Sequence, residues 1–125
     1  MNEPINLADK LGKFDATWTP HIIAELNGQQ VKLAKLEGEL MWHAHEHEDE
    51  LFMVLSGTLT MQLRDEAGAV REVVISPGEL FVVPRGMQHN PIAEPGTSVM
   101  LFEPAQTRHT GEHLTARTVT DQKWI

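Results

Sequence analysis

The sequence predicts an all-β protein, a sandwich or barrel of antiparallel strands with one short helix at its N-terminal end. Short apolar segments recur along the chain, and turn residues such as Asn27-Gly28, Ser76-Pro77-Gly78 and Pro84-Arg85-Gly86 separate them. The 125 residues contain no internal repeat and no Ser- or Gly-rich linker. We therefore expect a single domain over residues 1–125.

The individual elements follow from periodicity and turn chemistry. Apolar residues at helical spacing within residues 7–14 follow Asn6, a preferred N-cap residue, and predict the helix. After Pro20 the pattern becomes strand-like, and Asn27-Gly28 supplies the two positive φ angles of a type I′ hairpin turn. The strands are predicted at residues 21–26, 29–36, 40–45, 50–55, 58–64, 69–75, 79–83, 89–93 and 99–102.

One predicted strand, Leu51-Phe52-Met53-Val54-Leu55, is apolar on both of its faces. Residues 58–63 instead alternate between apolar and polar, as expected where one face of a strand contacts water. A barrel strand with two apolar faces needs a cover on its outer side, and a second subunit commonly supplies it. We therefore expect a homodimer; the alternative is that the N-terminal helix covers this face.

Composition excludes several kinds of partner and site. The chain has no cysteine, which removes disulfides, thiolate metal ligands and cysteine nucleophiles. Its 18 acidic residues outnumber 10 basic ones, and the formal charge of −8 disfavours nucleic acid and anionic membrane surfaces as partners. No signal peptide or membrane span is recognisable, so we expect a soluble, cytoplasmic protein.

Histidine is the residue type that points to chemistry: the chain contains seven, and His43, His45 and His47 lie within five positions. On a strand, the side chains of His43 and His45 project from one face about 6.5–7 Å apart, close enough for two imidazoles to bind one cation. Glu50 regains that face if a turn precedes it, and His89 opens a later strand. Alternatively, the tract is a solvated loop that binds metal adventitiously, although the apolar residues on both sides favour a place within the sheet.

At these positions the sequence resembles the cupin family. The first cupin motif is a Gly, a His-x-His pair, a Glu and a second Gly, matched in order by Gly38, His43, His45, Glu50 and Gly57. The second motif, Gly-x5-Pro-x-Gly-x2-His, is matched by Gly78, Pro84, Gly86 and His89. Gly38 is one position nearer to the histidines than in the pattern, and Ala93 replaces an Asn. The two motifs span residues 38–93 and look like those of small single-domain cupins often labelled mannose-6-phosphate isomerase-like.

The resemblance implies a jelly-roll β-barrel that binds one divalent transition metal. Carried over position by position, the metal ligands are His43, His45, Glu50 and His89, a set that does not distinguish Fe, Mn, Ni, Zn or Cu. His47 falls outside the motif spacing and is interpreted as a loop residue. The other histidines have no motif support and are interpreted as surface or structural residues: His21, His109 and His113.

The functional expectation follows from the ligand number. Four protein ligands leave one or two coordination positions open, as a metal that polarises a substrate or water requires. We expect a mononuclear metal-dependent enzyme, of oxygenase or isomerase type, that acts on a small polar metabolite; the alternative is a non-catalytic metal-dependent binding module for a sugar or small acid. No independent acid–base pair is recognisable, and every lysine lies outside residues 38–93, which argues against a phosphosugar substrate.

Overall fold

The computed structural model describes residues 3–105 and 122–125. Within these residues no helix has the length and apolar character that a bilayer span requires. The elements are α1 (Leu7–Leu11), β1 (His21–Leu26), β2 (Gln29–Glu39), β3 (Glu50–Ser56), β4 (Leu59–Arg64), β5 (Val70–Ile75), β6 (Leu80–Val83), β7 (Gln88–Pro104) and β8 (Lys123–Trp124).

Helix α1 and the first hairpin confirm the predictions for this part of the chain. The Asn6 side chain caps the helix by accepting a hydrogen bond of 2.9 Å from the backbone N–H of Asp9. In the hairpin, Asn27 and Gly28 adopt φ angles of 50° and 76°, as a type I′ turn requires. Helix α1 packs against β2, and none of its own residues is fully buried. It therefore adds little to the core.

Strand β7 organises the sheet because it pairs with three other strands. Its first half is antiparallel to β4, its second half is antiparallel to β3, and β2 pairs with parts of both halves. Outward from these, β5 lies beside β4, β6 beside β3 and β1 beside β2. The described strands thus form one folded sheet of jelly-roll type that does not close completely.

The strand predicted at residues 40–45 is absent. This segment reaches β7 at single residues: the Leu40 N–H donates to the Pro91 carbonyl at 3.1 Å, and His43 forms an isolated bridge with His89. The apolar residues Leu40, Met41 and Trp42 before the His-x-His pair favour a strand here, but a strand also needs a partner along its whole length. The isolated bridge is nevertheless sufficient to place His43 next to His89.

The break predicted between the strands at residues 89–93 and 99–102 is also absent, because β7 continues through it. Gly96 adopts a φ of 84°, and both β2 and β3 shift register where they pair with this part of β7. Such irregularities let a long strand bend while its edges remain paired. As a result, a single strand carries both His89 and Glu103.

Apolar side chains on the inner face of the sheet form a core that borders the histidines. Phe52 and Val54 lie on the inner face of β3 together with Glu50, as strand parity predicts. Strand β4 contributes alternate residues that are at most 2% exposed: Leu59, Met61 and Leu63. The core therefore supplies an apolar wall on one side of the site.

Candidate metal centre

Three histidine side chains meet inside the folded sheet. His43, His45 and His89 each place a ring nitrogen within 4.8 Å of the other two, and their ring centroids are 4.2, 5.2 and 5.5 Å apart. All three residues are buried, with at most 4% of each exposed. The structure thus brings together the three histidines that the sequence singles out, and positions them for a metal ion.

The backbone orients two of these rings in the same way. His43 and His89 exchange backbone hydrogen bonds of 2.9 and 2.8 Å, and their Nδ1 atoms lie 3.0 and 2.9 Å from the carbonyl oxygens of Met41 and Met87. Because a carbonyl only accepts, Nδ1 carries the proton and Nε2 presents a lone pair. Nε2 of His43 and of His89 has no hydrogen-bond partner. Such buried polar atoms are expected to be satisfied by a ligand.

Glu50 is the first residue of β3, and its carboxylate reaches two of the three histidines. Oε1 lies 3.1 Å from Nε2 of His45 and 3.8 Å from Nε2 of His89, and the residue is buried. The loop before it is held by Asp49, whose Oδ1 accepts a 2.8 Å hydrogen bond from the Arg85 N–H. The Glu50 side chain therefore returns to the inner face of the sheet, as predicted. It lies beside the group of three histidines, nearer to His45 than to His89.

The donor set fits a divalent transition metal. Neutral imidazole nitrogens and a carboxylate are ligands that such ions prefer, and the set contains no thiolate. Burial, and then the neighbouring His89, lowers the pKa of His43 to about 3. This imidazole is therefore in its neutral, metal-binding form at neutral and mildly acidic pH.

The low pKa of His43 predicts that the metal-free protein loses stability in mild acid. The pKa is 6.5 for an ordinary histidine and about 3 in the folded protein, so between these values the unfolded chain binds more protons. The stability that this residue contributes is complete above pH 6.5 and declines as the pH falls. We expect a loss of about 2 kcal/mol between pH 7 and pH 5, measured by urea unfolding with EDTA present.

A variant pair assigns this pH dependence to the buried ring. In His43→Gln the loss of stability between pH 7 and pH 5 should be smaller by about 2 kcal/mol, because the group that titrates is gone. His47→Gln should retain it, since the His47 side chain is 79% exposed. An unchanged pH dependence in His43→Gln would contradict the assignment.

Two residues beside the site were not identified from the sequence: Lys32 and Glu103. Nζ of Lys32 lies 2.8 Å from Oε1 of Glu103, and neither side chain is exposed. The Glu103 carboxyl also interacts with Glu50, and each of the two groups shifts the pKa of the other. Lys32 lies outside residues 38–93 in the sequence, but the fold places it beside Glu103, so a lysine is present behind the site.

The two glutamates differ in their affinity for protons. Burial raises the pKa of Glu103 well above its usual value, and the charge of Glu50 raises it further against the opposing effect of Lys32. Burial also acts to raise the pKa of Glu50, but contacts with Glu103 and the histidines more than offset it, so that its pKa lies well below the usual value. A contact between two carboxyl groups is a hydrogen bond only if one of them keeps a proton. Any proton that the pair shares is therefore held more tightly by Glu103 than by Glu50.

A small cavity lies beside His43 and Glu50. Its volume, counted for the centre of a water molecule, is about 20 Å³, which is room for one or two waters. Trp18 borders it with a φ of 54°, unusual for a bulky residue, and its indole N–H donates to the Glu37 carbonyl at 2.9 Å. Most of the lining is apolar: Trp18, Pro20, Ala34, Leu36, Leu40, Phe52, Pro91, Val99 and Leu101.

The other histidines do not join the group. His47 is a loop residue with 79% of its side chain exposed, in agreement with the interpretation from motif spacing. His21 stacks on Phe14, with ring centroids 4.1 Å apart. His109 and His113 lie outside the described residues.

Comparisons with known proteins agree with the family resemblance. A family model described as "Cupin domain" matches residues 29–103. A solved structure of a cupin-2 domain protein from Shewanella frigidimarina is 41% identical, with a TM-score of 0.74 over 80% of this chain and 93% of that one. Hydroquinone 1,2-dioxygenase from Sphingomonas is 21% identical, with a TM-score of 0.71 over 80% of this chain and 31% of that one, a likeness that shows the fold alone.

Among curated proteins, the chain is similar to the protein YdbB of Bacillus subtilis. The two are 37% identical over 67 residues, which are 54% of this chain and 56% of YdbB. The chain spans 56% or less of the length of the curated relatives that it matches.

Proposed function

The chain belongs to the cupin domain family, and from this premise we propose that it is a mononuclear metal-dependent enzyme of oxygenase or isomerase type. His43, His45, His89 and Glu50 hold one divalent transition metal. The observation that carries the proposal is the buried group of histidines, whose ring nitrogens lie within 4.8 Å of one another. When bound, the metal supplies Lewis-acid or redox chemistry at its open coordination positions.

The residues around the three histidines have different roles. The carbonyls of Met41 and Met87 hold the rings of His43 and His89 in one tautomer, so these ligands need little reorganisation when they bind. The Phe52 ring lies edge-on to His89, with centroids 6.5 Å apart. This apolar wall excludes water and lowers the local dielectric, which strengthens the electrostatic interactions of the site.

The cavity limits the molecules that the site accepts. Its walls are apolar except at the end formed by His43 and Glu50. A small metabolite fits this arrangement if its polar group reaches the histidines while its body contacts the wall. A phosphosugar does not, because its many polar groups would be buried without partners. A substrate of more than a few atoms enters only if Trp18 or a neighbour moves.

Elemental analysis of protein purified without a histidine tag tests the metal. We expect about one transition-metal ion per chain, since the four residues form a single site. The identity of that metal then selects the reaction to be assayed. Protein that takes up no stoichiometric metal, even after incubation with Fe, Mn, Ni, Zn or Cu, would contradict the proposal.

Turnover needs a separate measurement. We expect the metal-loaded protein to consume oxygen, or to isomerise its substrate, with at least one member of a panel of phenols, diketones, thiols and small sugars. The His43→Ala protein, carried through the same loading, is the control. Ligand-induced thermal shifts without any product would favour the non-catalytic binding module instead.

We also propose that two chains associate through the outer surface of β3, β6 and β7. The strand register aligns six apolar side chains in two rows across these strands: Val82, Leu51 and Phe102, then Leu80, Met53 and Met100. Leu80 and Val82 are 58% and 46% exposed, and the described helix packs against β2 instead. A flat apolar surface of this kind can be buried against a second copy of itself about a two-fold axis.

Sedimentation tests this association. At micromolar concentration we expect a species of twice the chain mass of 14.0 kDa. Val82→Lys should give the monomer, because it buries a charge at the interface. Val74→Lys, at a residue that is 59% exposed on β5, is the matched control and should remain dimeric. A wild-type species of single-chain mass would remove the proposal.

A further inference from the structure

A fully buried ion pair lies behind the carboxylate of the proposed metal centre. It joins Lys32 on β2 to Glu103 on β7, with 2.8 Å between Nζ and Oε1 and no exposure of either side chain. Neither group is hydrated, and replacing a buried pair of this kind with apolar residues of similar volume is often neutral or stabilising. The pair therefore points to a role in the neighbouring site rather than in the stability of the fold.

The strand register aligns this pair with Glu50. Strands β3 and β7 pair Leu51 with Phe102, so the next position along brings Glu103 opposite Glu50. The Lys32 ammonium contacts the Glu103 carboxyl, and the Glu103 and Glu50 carboxyls interact with each other. Oε1 of Glu50 in turn lies 3.1 Å from Nε2 of His45.

We propose that Lys32 and Glu103 are positioning residues for Glu50. Lys32 fixes the Glu103 carboxyl, and Glu103 holds the Glu50 carboxylate in the orientation in which Oε1 faces the histidines. Without this restraint, rotation about the terminal torsion of Glu50 would turn Oε1 away from the site. The inference rests on the proposed metal centre, and it follows the general rule that groups behind a metal ligand set its orientation.

Substitutions of Glu103 separate positioning from charge. Leucine and glutamine are both uncharged, so the two variants place the same charge beside Glu50. Only glutamine can still accept a hydrogen bond from Lys32 through its carbonyl and donate one to Glu50 through its amide. A positioning role therefore predicts different outcomes for the two variants, whereas a role through charge alone predicts the same outcome.

Titration of the untagged protein with Co²⁺ tests the inference, because the visible absorption of bound Co²⁺ reports ligand geometry as well as occupancy. We expect Glu103→Leu to weaken Co²⁺ binding by about 10–100-fold and to change the absorption bands. Glu103→Gln should keep the affinity and spectrum close to wild type. The double variant Lys32→Met/Glu103→Leu replaces both members of the pair with apolar residues, and it should fold as stably as wild type yet bind Co²⁺ as weakly as Glu103→Leu.

Lys35→Met is the matched control. Lys35 lies on the same strand as Lys32, and its Nζ donates to the Phe14 carbonyl at 2.6 Å, away from the site. The Lys35→Met protein should bind Co²⁺ like wild type.

Equal losses of Co²⁺ affinity in Glu103→Gln and Glu103→Leu would overturn the inference, as would wild-type affinity and spectrum in the double variant. If the wild-type protein itself binds no Co²⁺, the metal centre fails and this inference falls with it. If wild type and all the variants bind alike, the metal centre stands and only the inference falls.

Discussion

Alanine at His43 or at His89 is expected to leave the purified protein without stoichiometric metal. Each substitution removes one of three nitrogen donors from a group whose ring nitrogens lie within 4.8 Å of one another. Loss of a residue that merely supports a metal ligand weakens binding by about 10–100-fold, and loss of a ligand itself should weaken it more. The ion would then be lost during purification.

Metal content by elemental analysis and affinity by calorimetry check this expectation, and His47→Ala is the matched control. His47 lies only two positions from His45, but its side chain is 79% exposed and lies outside the group. His47→Ala should therefore retain the wild-type metal content. Loss of metal in His47→Ala together with its retention in His43→Ala would contradict the assignment of the ligands.

The fold of these variants needs to be checked separately, because each leaves a space in a buried region. Urea unfolding in EDTA compares the metal-free proteins, and His43→Gln and His89→Gln fill more of the space than alanine does. We expect the glutamine variants to lack stoichiometric metal while remaining folded. Their folded state would assign the loss of metal to the missing imidazole rather than to unfolding.

The histidine positions were predictable from the sequence because they depend on local rules. Residues two apart on an extended chain share a face, which aligned His43 with His45. A polar turn before Glu50 returned its side chain to the face of the sheet that carries the histidines. The motif that ends at His89 begins with turn residues of known geometry. None of these inferences required knowledge of which strands become neighbours.

Lys32 and Glu103 were not predictable in this way, because their role depends on long-range pairing. Strand β7 lies between β2 and β3, and only this arrangement brings residues 32, 50 and 103 close together. A local signal existed for Glu103, which shares strand parity with the buried residues Val99 and Leu101. The predicted strand, however, ended at residue 102, and a charged residue at a strand end is ordinarily exposed.

Alanine at Gly57 is expected to destabilise the fold by more than about 3 kcal/mol. Gly57 has a φ of 78°, a conformation that costs other residues about 1–2 kcal/mol. A Cβ atom at this position would lie 2.5 Å from Cα and 2.8 Å from N of Thr97, and it would also overlap Oγ1 of that residue. Because two of these atoms belong to the backbone, a change of side-chain rotamer cannot relieve the overlap.

Thr97 is also held in place by its own hydrogen bonds. The residue is 1% exposed; its hydroxyl donates to the Glu94 carbonyl at 2.7 Å and accepts from the Thr58 N–H at 3.1 Å. An alanine at Gly57 must therefore displace β7 where that strand bends, and β7 carries both His89 and Glu103. We expect the free energy of unfolding, measured in urea, to fall accordingly.

Gly68→Ala is the matched control, because it introduces the same backbone strain without the overlap. Gly68 has a φ of 88°, and a Cβ atom there would meet nothing within 4 Å, so we expect a loss of only about 1–2 kcal/mol. The difference between the two variants measures the contact between Gly57 and β7. Equal losses would mean that β7 yields freely. A larger loss at Gly57 would show that this motif glycine is required by close packing against the strand that carries the site, in addition to the turn that it forms.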